Sequence, residues 1–345
     1  MTWIVQILWC NLRATDPPAR VRRSIAGAGD AGPTGMPQVV PTSDYVGRFA
    51  PSPSGPLHAG SLQTALASWL DARTHRGKWL LRIEDVDTPR CSPQLAFAII
   101  DCLAQHGLRP DADILWQSRQ RARYDAAIAH LAGLGVLYRC ACSRTRIASA
   151  LRRTGWTDVP RQERPYPGLC RASMRIEGEG SLRVMVDSIA ITWEDRATGS
   201  QSEVLSQSIG DFVVRRADGI DSYHLAVVVD DEADGVTDVV RGDDLRASTA
   251  RQIALQHLLG YRSLRYLHLP VVRDEHGQKL SKQQGAKALD PSAAAGNLCR
   301  AIEGLGLGPI TGQQVEALLA EACRRWERAC GAAGLPRAAS GGDPR

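Results

Sequence analysis

Residues 45–61 read YVGRFAPSPSGPLHAGS, and this stretch decides the fold. The apolar start at Tyr45–Phe49 predicts a short strand, and the proline- and glycine-rich residues 50–57 predict a loop. From His58 onwards, leucines recur at helical spacing. The stretch therefore predicts a strand, a tight loop and a helix, the unit from which parallel α/β sheets are built.

The alternation of strands and helices continues along the chain. The apolar run Ser222–Val229 (SYHLAVVV) ends in two aspartates and predicts a buried strand of a parallel sheet, because both of its faces are apolar. The whole pattern predicts an α/β fold with a doubly wound parallel sheet. Further strands are predicted at 78–83, 236–241 and 265–272, and further helices at 93–107, 119–134 and 247–259.

The bulk composition is that of a globular protein. The chain has 345 residues, of which 43% are hydrophobic and 23% charged, with a formal net charge of +5. No apolar run reaches the ~18–20 residues that a membrane helix needs, so we expect no membrane partner. Nine cysteines, an odd number on a long chain, argue against a disulfide framework and for a reducing cytoplasm.

The loop before the first helix is suited to binding an anion. Ligands of parallel α/β sheets bind at the carboxyl ends of the strands, where this loop is expected. A helix that begins near His58 directs free backbone N–H groups and a positive dipole end towards that edge. His58 can donate to a phosphate oxygen, and Gly60 leaves room for a nucleotide. The alternative is a proline-rich loop in which His58 only caps the helix.

A second cationic segment, Lys279–Gln283 (KLSKQ), follows far downstream in a glycine-containing loop. Phosphoryl and adenylyl transfer need positive charge where the oxygen of the leaving phosphate becomes negative. Lys279 and Lys282 supply that charge when such a loop closes over the site. A solvated basic loop is the alternative.

Three cysteines and a tyrosine have the spacing of a metal site. Cys140 and Cys142 are two positions apart, so both side chains point to the same side of an extended segment. Zinc prefers four tetrahedral ligands, and Cys170 and Tyr166 are the third and fourth candidates. Three buried cysteines without a metal are the alternative.

Five motifs in this order resemble the class I aminoacyl-tRNA synthetases. HAGS at 58–61 resembles the HIGH signature of that family, and KLSKQ resembles its KMSKS signature. RFAPSPSG at 48–55, RIED at 82–85 and VRGDD at 240–244 are similar to the variants of the glutamyl/glutaminyl branch. The resemblance implies a Rossmann-like catalytic domain.

The resemblance also implies the ligands of this domain. Mg²⁺ and ATP are expected between the HAGS and KLSKQ segments, with His58, Lys279 and Lys282 as catalytic residues. Arginine forks would meet the carboxylates of glutamate, and Glu84 would meet its ammonium group; for each arginine alone, a surface ion pair is the alternative. The expected ATP-binding residues are Pro51, His58, Gly60, Ser61 and Lys282. The expected glutamate-binding residues are Arg48, Phe49, Ala50, Pro51, Ser52, Glu84, Tyr223 and Arg241.

Two features are similar to those of the glutamyl-Q tRNA(Asp) synthetases within that branch. Their zinc site has a CxC…YxxxC pattern at the same place, which implies one structural Zn²⁺ on Cys140, Cys142, Tyr166 and Cys170. The sequence also ends soon after Lys282, which leaves no room for the anticodon-binding regions of the longer enzymes.

This resemblance implies a function. Glutamate is expected to be activated by ATP without tRNA and then transferred, by a monomer, to the queuosine at the wobble position of tRNA(Asp). The alternatives are a truncated glutamyl-tRNA synthetase that charges a tRNA 3′ end, and a non-catalytic RNA-binding paralogue.

The expected domain organisation combines these motifs with the composition of the segments between them. It comprises an N-terminal extension without fixed structure or a mis-called start at 1–43, the two halves of the catalytic domain at 44–135 and 193–264, an insertion with the zinc site at 136–192, the KMSKS-like loop with a short helical region at 265–333, and a tail without fixed structure at 334–345.

Overall fold

The computed structural model describes residues 44–157, 163–271 and 287–331. Strands and helices alternate through most of this part of the chain. In chain order, the elements are β1 (Val46–Phe49), α1 (Ala59–Thr74), β2 (Lys78–Ile83), α2 (Pro93–Gln105), β3 (Leu115–Trp116), α3 (Arg121–Gly133), β4 (Leu137–Cys140), α4 (Arg144–Arg153), β5 (Ser181–Val184), β6 (Ala190–Asp195), β7 (Gly199–Val204), α5 (Leu205–Ser208), β8 (Phe212–Arg215), α6 (Tyr223–Ala233), β9 (Asp238–Gly242), α7 (Thr249–Leu259), β10 (Arg265–Leu269), α8 (Ala294–Gly304) and α9 (Val315–Gly331).

The main sheet has seven strands in the order β3-β2-β1-β9-β10-β6-β7. The pairs from β3 to β6 are parallel, and β7 joins β6 as an antiparallel hairpin. The chain builds outward from β1 to β3 and then returns to the other side of β1 with β9 and β10. Such a reversal opens a crevice at the carboxyl ends of the two central strands. The parallel, doubly wound sheet predicted from the sequence is confirmed.

Helix α1 is buried on nearly every side. Leu62, Leu66 and Leu70 are at most 1% exposed, because the helix packs against β1 and β2 as well as against α8 and α9. Each buried leucine contributes roughly 1.5–3 kcal/mol relative to an exposed one. The helix begins directly after His58, as predicted, and its fixed position holds this residue at the carboxyl edge of the sheet.

The strand predicted at Ser222–Val229 is wrong, since these residues form the start of helix α6. Ser222 caps the helix, and its hydroxyl accepts a hydrogen bond from the backbone N–H of Leu225 at 3.3 Å. Helix α6 packs against α3, α7 and β8. A helix enclosed in this way is apolar all round, so the sequence shows no helical period. The two aspartates that seemed to end a strand continue the helix, where both are buried.

A second sheet contains three antiparallel strands in the order β4-β5-β8. Two of its strands come from the segment 136–192 that was expected to form an insertion, whereas β8 comes from later in the chain. Strand β6 begins near the end of that segment and belongs to the main sheet. Because β8 packs against α6, the small sheet is attached directly to the helix that begins at Tyr223.

Three sequence predictions fall outside the described residues. They concern the lack of fixed structure at 1–43 and at 334–345, and the loop that contains Lys279 and Lys282. Within the residues that the structure describes, no helix has both the length and the apolar character needed to cross a membrane.

Candidate active site

The loop after β1 is fastened to its surroundings at several points. The carbonyl oxygen of Pro51 accepts a hydrogen bond from Glu84 N–H at 3.0 Å, and that of Pro53 accepts one from Ser92 N–H at 3.0 Å. Phe49 and Pro51 are buried, Ala50 is half-buried and Ser52 is exposed. The loop is therefore held against the carboxyl end of β2, the strand that leads to Glu84.

His58 ends this loop as the N-cap of α1. Its Nδ1 accepts a hydrogen bond from the backbone N–H of Ser61 at 3.3 Å, and its Nε2 lies 3.0 Å from the Ser61 hydroxyl oxygen. The backbone of His58 also forms a bridge with Ala288. His58 therefore caps the helix, as the alternative interpretation of the sequence expected. Its half-buried ring also lies at the carboxyl edge of the sheet, where the anion site was predicted.

Arg48 and Arg82 share one carboxylate on helix α6. Asp231 accepts from Arg48 Nε at 3.2 Å and from Arg82 Nη2 at 2.6 Å, and all three side chains are buried. Burial acts to raise the pKa of Asp231, but the two guanidinium groups outweigh it and hold the pKa below the usual range. Asp231, the second aspartate after the SYHLAVVV run, is therefore an internal counter-charge for the first two strands.

Arg241 lies at the carboxyl end of β9. Within the described residues, all of its side-chain hydrogen-bond partners are neutral. Its Nε donates to His268 Nε2 at 3.1 Å, its Nη1 to Gln252 Oε1 at 2.7 Å, and its Nη2 to Thr249 Oγ1 at 2.9 Å. A guanidinium has five N–H donors, so this arrangement leaves two for a further acceptor. The side chain is 4% exposed, and its positive charge has no internal carboxylate partner in the described part of the chain. A buried, unneutralised guanidinium is a receptor for an anion.

Glu84 and Tyr223 complete this group of charges. Burial is the largest influence on Glu84 and raises its pKa to about 7, even though Arg82 Nη2 lies 3.8 Å away. Burial also raises the pKa of Tyr223, and the charges of Arg241, Glu84 and Arg48 all act on its hydroxyl. Three charged side chains predicted from separate motifs are thus close enough to influence the hydroxyl group of the fourth predicted residue, Tyr223.

His224 lies beside this group as a neutral ring. Its centroid is 5.3 Å from that of Tyr223 and 6.0 Å from that of Phe212, in edge-on arrangements. Burial, followed by the charges of Arg251 and Arg241, lowers its pKa to about 3. His224 therefore adds no positive charge to the pocket at neutral pH.

The predicted cysteines meet at the end of β4. The Sγ atoms of Cys140, Cys142 and Cys170 lie within 4.8 Å of one another, with 3.4 Å between Cys142 and Cys170. Cys140 Sγ is 3.2 Å from the Tyr166 hydroxyl oxygen. Burial acts to raise the pKa of Cys140, but hydrogen bonds from Tyr166, the Cys142 backbone and Arg183 lower it to about 7. Three thiols and a phenol so arranged fit the tetrahedral sulfur-rich donor set that zinc prefers.

Comparison with known proteins identifies the family. The model for the catalytic domain of class I tRNA synthetases (E and Q) matches residues 45–298. The glutamyl-Q tRNA(Asp) synthetase of Bordetella bronchiseptica is 51% identical over 84% of this chain and 90% of its own length. That of Albidiferax ferrireducens is 46% identical over 80% of this chain and 96% of its own length.

The chain belongs to the glutamyl-Q tRNA(Asp) synthetase family.

Two solved structures of longer enzymes are similar in fold to this chain. A glutamate-tRNA synthetase from Elizabethkingia anophelis is 27% identical, with a TM-score of 0.59, over 70% of this chain and 53% of that one. A glutamate tRNA ligase from Elizabethkingia meningosepticum, in complex with its amino acid, is 26% identical with the same TM-score and coverage. The chain therefore spans about half of the length of these solved relatives.

Sequence reasoning missed the side chains that hold Arg241 in this synthetase. His268 lies on β10 directly opposite Arg241 in the parallel register. Its Nδ1 lies 2.6 Å from Asp195 Oδ2, and burial lowers its pKa, so the neutral ring donates to Asp195 and accepts from Arg241. The only sequence signal was positional, since the strand predicted at 265–272 follows the one that ends at Arg241.

Proposed function

We propose that the protein activates L-glutamate with ATP, without needing tRNA, and transfers the glutamyl group to the queuosine at the wobble position of tRNA(Asp). The observation that carries the proposal is the group formed by the buried side chains of Arg241, Arg48 and Glu84, whose charges all act on the Tyr223 hydroxyl. Glutamate has two carboxylates and one ammonium group. The group offers one guanidinium with unused donors, Arg241, together with the positive potential of Arg48, the carboxylate of Glu84 and the hydroxyl of Tyr223. The family to which the chain belongs supports the same conclusion.

The charges of the pocket suggest how glutamate is held. Arg241 uses its two remaining N–H groups for a carboxylate, which gives its buried charge a counter-ion. Glu84 receives the ammonium group, and Tyr223 offers a hydroxyl between the two. Arg48 already shares Asp231 with Arg82, so it contributes a positive potential rather than a free fork. Phe49, Ala50, Pro51 and Ser52 provide the adjoining wall of the loop.

The loop after β1 forms the nucleotide side of the proposed site. Pro51, His58, Gly60 and Ser61 surround the start of α1, where backbone N–H groups and the helix dipole favour phosphate. A glutamate carboxylate oxygen attacks the α-phosphorus in line, the bond to the β-phosphate oxygen breaks, and pyrophosphate leaves. His58, Lys279 and Lys282 are the proposed catalytic residues, since their donors and charges stabilise the pentacoordinate phosphate. Mg²⁺ that enters with ATP supplies further charge neutralisation at the phosphates.

The second step needs no nucleophile from the protein. A hydroxyl group of the queuosine cyclopentene ring attacks the acyl carbon of the adenylate, an ester forms and AMP leaves. The enzyme orients the two partners, a contribution that can supply several kcal/mol of the barrier. We propose that this occurs in the cytoplasm, on a monomer.

A structural zinc ion belongs to the same proposal. Cys140, Cys142, Cys170 and Tyr166 would hold it, and the ion would cross-link β4 to the segment around Cys170. This cross-link would stabilise the small sheet that packs against α6.

The direct test has two assays. Glutamate-dependent ATP–pyrophosphate exchange should proceed without tRNA, and radiolabelled glutamate should then appear on queuosine-containing tRNA(Asp) at the anticodon. Unmodified tRNA(Asp) and tRNA(Glu) are the matched controls. Esterification of a tRNA(Glu) 3′ end would instead support a truncated glutamyl-tRNA synthetase, and absence of exchange would support a non-catalytic paralogue.

A further inference from the structure

Two aromatic rings, one exposed and one half-buried, form a surface cluster with an exposed arginine at the edge of the main sheet. The ring centroids of Phe97 and Trp116 are 5.7 Å apart with an interplanar angle of 57°, and Phe97 is 58% exposed. Arg119 Cζ lies 5.5 Å from the Trp116 ring centroid on the exposed surface. Arg119 makes no ion pair with any described residue, so its charge is available to an outside partner.

The cluster is fixed close to the proposed glutamate pocket. Trp116 is the last residue of β3 and pairs in register with Ile83, the residue directly before Glu84. The turn after Trp116 is tied to Asp85, because Ser118 donates to this carboxylate from its backbone at 2.8 Å and from its hydroxyl at 2.7 Å. Parallel strands lie ~4.8 Å apart, so the aromatic cluster is a near neighbour of the carboxyl edge that holds Glu84.

The geometry points to a stacking platform, formed by Phe97, Trp116 and Arg119, for an unpaired nucleotide of the anticodon loop. This inference rests on the proposed function, in which an anticodon nucleotide must reach the activated glutamate. A nucleotide that leaves the loop to enter the site separates the neighbours on which it was stacked. Aromatic rings and arginine planes are the surfaces on which such unstacked bases rebuild their contacts.

The chemistry of the cluster favours RNA over a protein partner. The other large apolar side chains that are exposed in the described residues are aliphatic: Leu134, Leu169, Met174, Ile176 and Ile189. Of the exposed apolar positions in the described residues, only the Phe97 cluster combines aromatic faces with a guanidinium that has no ion-pair partner there. The rings offer a face to a base, and the guanidinium offers donors to the adjoining phosphate.

The test compares both half-reactions in the variants Phe97→Ala, Trp116→Ala and Arg119→Ala. KM for queuosine-containing tRNA(Asp) should rise roughly 5- to 150-fold in each aromatic variant, the range expected for loss of one base–aromatic stack. Exchange of ATP and pyrophosphate, which involves no tRNA, should keep the wild-type rate. Trp116→Phe, which retains a ring, should recover most of the affinity and also guards against a folding defect in Trp116→Ala.

A matched control uses a second arginine over a tryptophan. Arg73 Cζ lies 4.9 Å from the Trp69 centroid but pairs with Asp111, whose carboxylate also accepts from the start of β2. This pair lies at the opposite, amino end of the strand, so Arg73→Ala should leave KM for tRNA unchanged.

The outcomes separate this inference from the function on which it rests. Wild-type protein that exchanges but never acylates queuosine-containing tRNA(Asp) refutes the function itself. Wild-type protein that acylates this tRNA, with an unchanged KM in Phe97→Ala, Trp116→Ala and Arg119→Ala, refutes the platform alone. A change of sedimentation in these variants, with KM unaltered, would assign the cluster to contact with a second copy.

Discussion

Glu84 couples the proposed pocket to pH at the scale of a single residue. Burial raises its pKa to about 7, so the carboxylate that would meet the ammonium group is half protonated at neutral pH. The charged form dominates above that value and the neutral form below it. With MgATP saturating, kcat/KM for glutamate in the exchange assay should therefore be about tenfold lower at pH 6 than at pH 8.

Glu84→Gln is the matched control for this pH dependence. The variant keeps the shape of the side chain but cannot ionise, so its activity should be low at every pH and the step near neutrality should disappear. A wild-type profile that stays flat between pH 6 and pH 8 would show that the charge of Glu84 does not assist glutamate binding.

Single residues also show where sequence reasoning stops. The motifs predicted that Arg48 and Arg241 were carboxylate forks, and both are buried at the carboxyl edge. The sequence could not distinguish them, because the difference lies in partners that are distant along the chain. Arg48 faces Asp231 on α6, whereas Arg241 faces His268, Gln252 and Thr249, none of which is charged in this setting.

At the scale of elements, the proposed zinc site predicts an effect on the stability of the small sheet. Cys140 ends β4, and a bound ion would add a cross-link to the packing and hydrogen bonds that already join this strand to the segment around Tyr166 and Cys170. Purified protein should contain about one zinc per chain, and Cys142→Ser should lower this content towards zero. If losing the ion lowers the free energy of unfolding by ~2 kcal/mol, the thermal midpoint should fall by about 5 °C. Far-UV circular dichroism measures this shift.

Cys299→Ser provides the comparison for that experiment. Cys299 lies on α8, away from the cluster, and its replacement should leave the zinc content unchanged. Equal zinc content in wild type and Cys142→Ser would contradict a metal site at these cysteines.

The sequence predicted a helix or strand correctly where its pattern of residues fits only one kind of secondary structure. Helix α1 has a loop of prolines before it and leucines at helical spacing within it, and strand β2 occupies the residues predicted. Helix α6 had no visible period because other elements surround it, and its two buried aspartates resembled the polar end of a strand. A short apolar run carries too little information to distinguish these cases.

At the scale of the whole molecule, Asp71 joins the C-terminal helix to the sheet. It is fully buried in α1 and accepts from Tyr45 Oη at 2.6 Å, from Arg196 Nη2 at 2.8 Å and from Trp326 Nε1 at 3.0 Å. Tyr45 directly precedes β1, Arg196 directly follows β6, and Trp326 lies on α9. The sequence offered no sign of this network, because its members are far apart and have no shared motif.

Asp71→Ala should therefore destabilise the entire fold. The substitution leaves a guanidinium, a phenol and an indole without their acceptor, which should lower the free energy of unfolding by about 2–4 kcal/mol in urea. Asp101→Ala, at an exposed position on α2, should change it by less than ~0.5 kcal/mol. Equal effects of the two substitutions would show that Asp71 does not connect these elements.

If Arg241 binds a substrate carboxylate, as proposed, its neutral surroundings favour substrate binding over the stability of the substrate-free protein. A carboxylate beside this guanidinium would make the substrate-free protein more stable. Gln252→Glu supplies a carboxylate with almost no change of side-chain shape. Gln252 Oε1 already lies 2.7 Å from Arg241 Nη1. We expect the variant to melt at a higher temperature and to bind glutamate more weakly, because the internal carboxylate occupies the charge that the substrate would neutralise. Differential scanning calorimetry and exchange kinetics on the same preparation would reveal both effects, and an unchanged KM for glutamate would contradict them. A higher melting temperature in Gln252→Glu would mean that the substrate-free protein is less stable than its own backbone permits.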